Sequence, residues 1–152
     1  MMMRTSISKS AFTSHVMKYF GKDCQKLFLQ VTPTPASRPR VSKWGTYYGK
    51  NYEKFRREVR DFLADEYKKN GEQLIGPLSV YLEFLVPPPK TTKRDYPRGD
   101  VDNYAKGPLD SITSHTDIWK DDDQIINLAI SKRFCAANEE PGIQILYKEE
   151  KA

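Results

Sequence analysis

Hydrophobic positions follow two different spacings in the middle of the chain. Over residues 52–70 they recur every three or four positions, which is typical of an α-helix with one buried face, and Gly71 then favours a helix end. Over residues 77–86 they alternate, which predicts a strand. The helical positions are Tyr52, Phe55, Val59, Phe62, Leu63 and Tyr67, and the alternating ones are Leu78, Val80, Leu82, Phe84 and Val86.

Shorter patterns complete the expected fold. Three further strands are predicted over residues 26–31, 124–134 and 142–148. A second helix is predicted over residues 101–113, where the Asp100 carboxylate is placed to cap the free N–H groups of the first turn. Residues 41–51 predict an exposed loop or a short hairpin. This order of elements indicates one α+β domain over residues 26–148, with a mixed or antiparallel sheet of about four strands and two main helices.

Residues 1–25 differ in composition from the rest of the chain. Residues 1–22 contain four basic residues and no acidic one, among many serines and threonines. No apolar stripe recurs there at helical spacing, so we expect a loose basic arm outside the fold. An organellar transit peptide and a translation start assigned too early are the alternatives that the composition leaves open.

The net charge of +5 is unevenly distributed. Residues 38–60 and 87–99 are mainly basic, whereas acidic residues collect over residues 100–123. A basic surface beside an acidic cluster favours a polyanionic partner and a cation that bridges the two, although a solvated mixed surface would have the same composition. The first basic segment includes Arg38, Arg40, Lys43, Arg56 and Arg57, which are the candidates for phosphate binding, and Tyr47 and Tyr48, which are candidates for stacking on bases.

Other classes of site are disfavoured by the residues present. Cys24 and Cys135 form no CxxC pair, and neither they nor the two histidines have zinc-ligand spacing, so we expect two unpaired thiols. No apolar run is as long as a membrane span.

The segment with the clearest chemistry is Arg98-Gly99-Asp100-Val101-Asp102-Asn103-Tyr104-Ala105-Lys106. Asp100 and Asp102 lie two residues apart at a loop-to-helix junction, and Lys106 lies one helical turn beyond Asp102. Residues 121–123 supply three more carboxylates just before a predicted strand. Mg²⁺ prefers oxygen ligands and commonly binds one or two carboxylates together with a substrate phosphate. The same acids could instead be helix caps and an exposed turn.

The runs GDVDNYAKGPLDSI and WKDDDQI, with Arg38-Pro39-Arg40 upstream, resemble the signature of the RusA family of Holliday junction resolvases. The resemblance covers roughly residues 27–147. It implies that Asp100, Asp102 and Asp122 bind the metal, that Lys106 is catalytic and that Asp110 has a supporting structural role. The assignment of the third ligand to Asp122 rather than Asp121 or Asp123 rests on this alignment alone.

The resemblance also implies an activity and partners. The expected enzyme is a cytoplasmic, Mg²⁺-dependent endonuclease, with Mn²⁺ as a substitute, that nicks branched DNA symmetrically during recombination and repair. Symmetrical nicking of a four-way junction favours a homodimer with one site per subunit. A nuclease for flaps or other DNA structures and a non-enzymatic DNA-binding protein are the alternatives.

Overall fold

The computed structural model describes residues 10–37, 40–47, 49–67 and 72–151. Within these residues the helices are α1 (Ala11–Phe20), α2 (Lys50–Glu66) and α3 (Val101–His115), with a single 3-10 turn, η1, at Asp122–Gln124. The strands are β1 (Gln25–Leu29), β2 (Arg40–Ser42), β3 (Gly45–Tyr47), β4 (Leu78–Val86), β5 (Ile125–Phe134) and β6 (Gly142–Glu149).

The main sheet has the strand order β1-β6-β4-β5. Strand β6 is antiparallel to both β1 and β4, whereas β5 is parallel to β4, so the sheet is mixed, which is one of the two arrangements expected from the sequence. The segment that connects β5 to β6 therefore crosses β4, which lies between these two strands in the sheet. The predicted boundaries of these four strands are correct to within one or two residues.

Strand β4 is buried on both faces, although its sequence predicted one apolar face. Its even-numbered residues belong to the main core with α2 and α3, whereas Tyr81, on the other face, packs with Phe20 of α1 and Leu146. Glu83 also lies on this second face, only 4% exposed, and its carboxylate is 3.7 Å from the Arg133 guanidinium.

Helix α1 corrects the expectation of a loose arm over residues 1–25. Ser10 caps the helix by accepting a hydrogen bond from the Thr13 N–H at 3.2 Å, and Phe20 is only 5% exposed. Residues 10–24 are thus part of the fold, because α1 covers the face of β4 that would otherwise be open. Residues 1–9 lie outside the described residues.

Helix α2 buries the predicted apolar face but ends earlier than expected. Tyr67 is its C-cap, with an extended backbone, and the Tyr67 hydroxyl donates to Asp117 Oδ1 at 2.8 Å instead of continuing the helical stripe. Residues 68–71, where the helix was expected to finish, are outside the described part of the chain. Helix α3 is two residues longer than predicted and continues through Pro108.

The close approach of α2 to α3 depends on Gly107. A Cβ atom at this position would lie 3.1 Å from the Phe55 ring and 3.2 Å from Tyr52 Oη, closer than ordinary contacts. Glycine therefore allows the two helices to pack ring against backbone.

Three smaller expectations can be compared with the described residues. Residues 41–51 contain a short hairpin, formed by β2 and β3, and Trp44 at its turn is 86% exposed. Cys24 and Cys135 are both unpaired and buried. None of the helices described has the length and apolar character needed to cross a bilayer.

Candidate active site

Asp100 and Asp102 lie at the start of α3, and Gly99 shapes the turn that leads into it. Gly99 has φ +100°, and a Cβ atom there would be 3.0 Å from the Tyr104 ring. Asp100 occupies the N-cap position, but its side chain makes no capping hydrogen bond, so the prediction of a capping carboxylate is wrong. Both carboxylates are exposed at the positive end of the helix, where the helix dipole favours negative charge.

Lys132 of β5 fixes the loop that precedes α3. Its ammonium donates to the carbonyl oxygens of Pro97, at 2.7 Å, and Gly99. Burial lowers the pKa of Lys132, and Arg94 lowers it further, while the Asp100 carboxylate opposes the shift. The Asp100 carboxylate therefore lies in the field of a cation that is anchored to the sheet.

Asp102, Lys106 and Asp110 form one exposed face of α3. They are spaced four residues apart, so successive members lie one above the other on the helix. At 1.5 Å of rise per residue, Asp102 and Asp110 are about 12 Å apart along the axis, with Lys106 midway between them. The face thus carries an ammonium between two carboxylates.

The three acids at residues 121–123 have different surroundings. Asp121 caps η1 by accepting from the Asp123 N–H at 3.0 Å, and the Gln124 side chain accepts from the Asp121 N–H at 2.9 Å. This reciprocal capping arrangement satisfies the free N–H groups at the start of the turn. The Asp121 carboxylate is therefore used by the turn, and the Asp123 side chain is exposed.

Asp122 turns toward α3 instead. Its carboxylate accepts a hydrogen bond from the Thr113 hydroxyl and a second, at 3.3 Å, from Trp119 Nε1. Trp119 is fully buried, so the indole is a fixed donor. The position of Asp122 is consequently set by α3 and by the core.

Asp122 also contacts Asp110, a residue to which the family pattern gave only a supporting role. Burial raises the pKa of Asp110, and the neighbouring Asp122 carboxylate raises it further through charge repulsion and a hydrogen bond, while Lys106 and Arg56 lower it. Two neighbouring carboxylates favour a shared proton or a bound cation, because either one reduces the repulsion between their negative charges. Helical spacing from Asp102 and Lys106 was the sequence signal that could have placed Asp110 in the site.

The predicted metal ligands are only partly brought together. Asp100 and Asp102 are neighbours at the start of α3, whereas Asp122 lies with Asp110 about 12 Å further along the helix axis. Among the described residues, no three His, Cys, Asp or Glu side chains are arranged to hold one metal ion. The donors in both groups are carboxylate oxygens, which is the chemistry that Mg²⁺ prefers.

The predicted DNA-binding residues fall in different places. Arg56 and Arg57 line a groove between α2 and α3 with a volume of about 310 Å³, which we call the α2–α3 groove. Its principal lining residues are Arg56, Arg57 and Arg60 of α2 and Asp110, Ser114 and His115 of α3. Lys43 lies in the exposed hairpin turn, with its ammonium 5.1 Å from the Trp44 ring centre. Arg38, Tyr48 and the side chains of Arg40 and Tyr47 lie outside the described residues.

Residues 30–146 match the protein family described as Endodeoxyribonuclease RusA. The chain belongs to the RusA family. The family is one of endodeoxyribonucleases, enzymes that hydrolyse phosphodiester bonds within DNA, and the resemblance inferred from the sequence is confirmed. The matched segment contains every residue of the α3 face and η1, whereas α1 precedes it.

A bacterial relative extends the match beyond the RusA segment. The chain is 28% identical over 145 residues to a protein of Bacillus subtilis (strain 168) described as Uncharacterized protein YqaN. The similarity covers 84% of this chain and 97% of that protein, so it includes nearly the whole of that protein.

Proposed function

We propose that the protein is a Mg²⁺-dependent endonuclease that resolves Holliday junctions by nicking two strands symmetrically. The observation that carries the proposal is the position of Asp122, which lies against α3 through its hydrogen bond with the Thr113 hydroxyl. It lies there beside Asp110, a carboxylate in the field of Lys106 and Arg56. Carboxylates next to cations on an exposed helix suit a site where a metal and a phosphate meet. Membership of an endodeoxyribonuclease family identifies the phosphate as that of DNA.

In this proposal the acids and the lysine have separate roles. Asp100, Asp102 and Asp122 are the metal ligands, and Mn²⁺ substitutes for Mg²⁺ because both accept oxygen ligands. When bound, the metal supplies positive charge at the scissile phosphate and lowers the pKa of a water molecule. Lys106, between the two carboxylate groups, stabilises the negative charge that grows on the phosphate oxygens or the leaving oxygen.

The distance between the Asp100–Asp102 pair and the Asp110–Asp122 pair restricts how metal is bound. Because Mg²⁺–oxygen distances are about 2.1 Å, one ion cannot contact both Asp102 and Asp122 while Asp122 keeps its hydrogen bond with Thr113, near the far end of α3. Either each pair of acids binds its own cation, or Asp122 moves away from Asp110 and joins Asp100 and Asp102 around one cation. Calorimetric titration of the protein with Mn²⁺ separates the two arrangements by the number of ions bound per chain.

The proposed symmetrical nicking also implies that the protein acts as a dimer. Two equivalent strands cross at a four-way junction, so a two-fold symmetric dimer would present one site to each. Sedimentation analysis of the protein alone and on a junction tests this, and a single protein chain on a symmetrically nicked junction would contradict it.

The decisive experiment compares three DNA substrates: a four-way junction, a flap and a linear duplex. We expect paired nicks in the junction with Mg²⁺ or Mn²⁺ and none with excess chelator. Preferential cutting of the flap would replace the proposed substrate but keep the chemistry. Junction binding without cutting under any metal would leave a DNA-binding protein, and cutting that persists in chelator would refute the metal-dependent mechanism.

A further inference from the structure

The α2–α3 groove is a charged cavity that adjoins the candidate active site. One wall carries the guanidinium groups of Arg56, Arg57 and Arg60, and the other carries the Ser114 hydroxyl and His115. Glu53 of α2 and Asp110 of α3 are the carboxylates that line it, so the lining carries three positive charges and two negative ones. The cavity therefore suits an anion that can also accept hydrogen bonds.

Asp110 belongs both to the groove and to the site. Arg56 and Asp110 line the groove together, and Lys106 lies one helical turn before Asp110 on α3. Lys106, Arg56 and Arg60 are thus a series of cations that begins at the candidate metal ligands and continues into the groove. A chain of anions entering the site would encounter them in that order.

The spacing of the arginines fits successive groups of a nucleic acid strand. Arg60 is one helical turn beyond Arg56, which is about 6 Å along the axis of α2. Successive phosphates rise about 3.4 Å along the axis of B-form DNA, and because the strand winds around that axis their separation along the strand is larger, so Arg56 and Arg60 can contact neighbouring phosphates. Guanidinium groups bind phosphate oxygens through two parallel hydrogen bonds.

We propose that the α2–α3 groove is a phosphate-binding subsite that holds the DNA strand on the Asp122 side of the scissile phosphate, with Arg60 and Ser114 as its contacts. The proposal rests on the proposed function, because the ligand is the strand that is cut. No Phe, Tyr or Trp ring lines the groove as described, so it offers no surface for base stacking. Contacts to phosphates alone position a strand without selecting its sequence.

The test replaces Arg60 and a matched control on the same helix. Arg60→Gln and Lys54→Gln each remove one positive charge and one exposed ion pair: Arg60 lies 3.5 Å from Asp61, and Lys54 lies 3.9 Å from Glu58. Both side chains are at least half exposed, so both variants should fold. Lys54 lies outside the α2–α3 groove.

Junction affinity is measured in chelator over a series of salt concentrations, and phosphate-ethylation interference maps the contacts. For Arg60→Gln we expect weaker binding, a salt slope smaller by about one, and loss of interference at one or two phosphates on one side of the nick. Lys54→Gln should keep the wild-type slope and pattern. Equal slopes and patterns for the two variants would overturn the subsite.

The two proposals can fail separately. If wild-type protein does not cut the junction with Mg²⁺, the proposed function fails, but the difference in salt slope between the variants still tests the groove. If the junction is cut symmetrically and Arg60→Gln behaves as Lys54→Gln, the endonuclease assignment stands and the subsite is wrong. Loss of binding that differs between junction sequences would also contradict it, because phosphate contacts affect all sequences alike.

Discussion

The Thr113 hydroxyl should set the position of Asp122, and Thr113→Val tests this without changing the shape of the side chain. The hydroxyl donates to Asp122 and accepts from Trp119 Nε1 at 2.8 Å. In the variant the indole N–H keeps Asp122 Oδ1 as an acceptor at 3.3 Å, so no buried donor is left without a partner.

The expected cost follows from the kind of hydrogen bond that is lost. A bond to an ionised group contributes about 1.5–3 kcal/mol. Asp122 is partly exposed, so water replaces some of the lost interaction and the lower end applies. We expect a loss of about 1.5 kcal/mol in the free energy of unfolding, which lowers the Tm by about 3–6 °C for a chain of this size.

Urea unfolding measures the stability, and single-turnover junction cleavage measures the effect on the site. Thr116→Val is the matched control, because Thr116 Oγ1 donates to the Ile112 carbonyl at 2.7 Å and accepts from the Ile118 N–H, away from Asp122. Both variants should be less stable, but only Thr113→Val should cleave more slowly. A wild-type cleavage rate in Thr113→Val would refute the positioning role. An equal fall in cleavage rate in both variants would also refute it.

Three further predictions concern the acids, the lysine and the helix packing. Cleavage should be abolished, and junction binding kept, in each of the variants Asp100→Asn, Asp102→Asn and Asp122→Asn. Asp123→Asn should remain active. An inactive Asp123→Asn together with an active Asp122→Asn would assign the third ligand to Asp123 instead. Lys106→Met should slow single-turnover cleavage strongly at every Mg²⁺ concentration, since its charge acts in the transition state, and full rescue by high Mg²⁺ would reduce Lys106 to a scaffolding role. Gly107→Ala should lower the free energy of unfolding by about 1 kcal/mol, because an overpacking cost of about 1–3 kcal/mol exceeds a helix-propensity gain of up to about 1 kcal/mol. Urea unfolding checks this, and Phe55→Leu in the same chain should relieve part of the loss; a stabilised Gly107→Ala would contradict it.

Elements with a strong local pattern could be predicted from the sequence, and α1 could not. Strand β4 and helix α2 have long apolar periodicities, so their type follows from neighbouring residues alone. Helix α1 is stabilised by what it covers: Phe20 and Thr13 contact Tyr81 on the second face of β4. The same packing explains Glu83, whose place in an apolar run is accommodated by Arg133 and the Tyr81 hydroxyl.

In the candidate site, too, some features could be predicted from the sequence and others could not. The Asp100, Asp102 and Lys106 cluster follows from spacing on one helix and could be predicted. The separate surroundings of Asp121 and Asp122 could not, because they depend on how η1 meets α3: one carboxylate caps the turn and the other reaches Thr113. The contact between Asp110 and Asp122 likewise joins residues from two elements.

Helix packing and site electrostatics are linked at Gly107. Because this residue has no side chain, the Tyr52 and Phe55 rings of α2 rest on the backbone of α3. Arg56 follows Phe55 directly, so the same approach holds its guanidinium beside Asp110, where it lowers the pKa of that carboxyl group. A larger residue at position 107 would move the arginines away from the acids as well as disturb the core. The core contact between α2 and α3 therefore sets the charge balance at the junction of the candidate site and the groove.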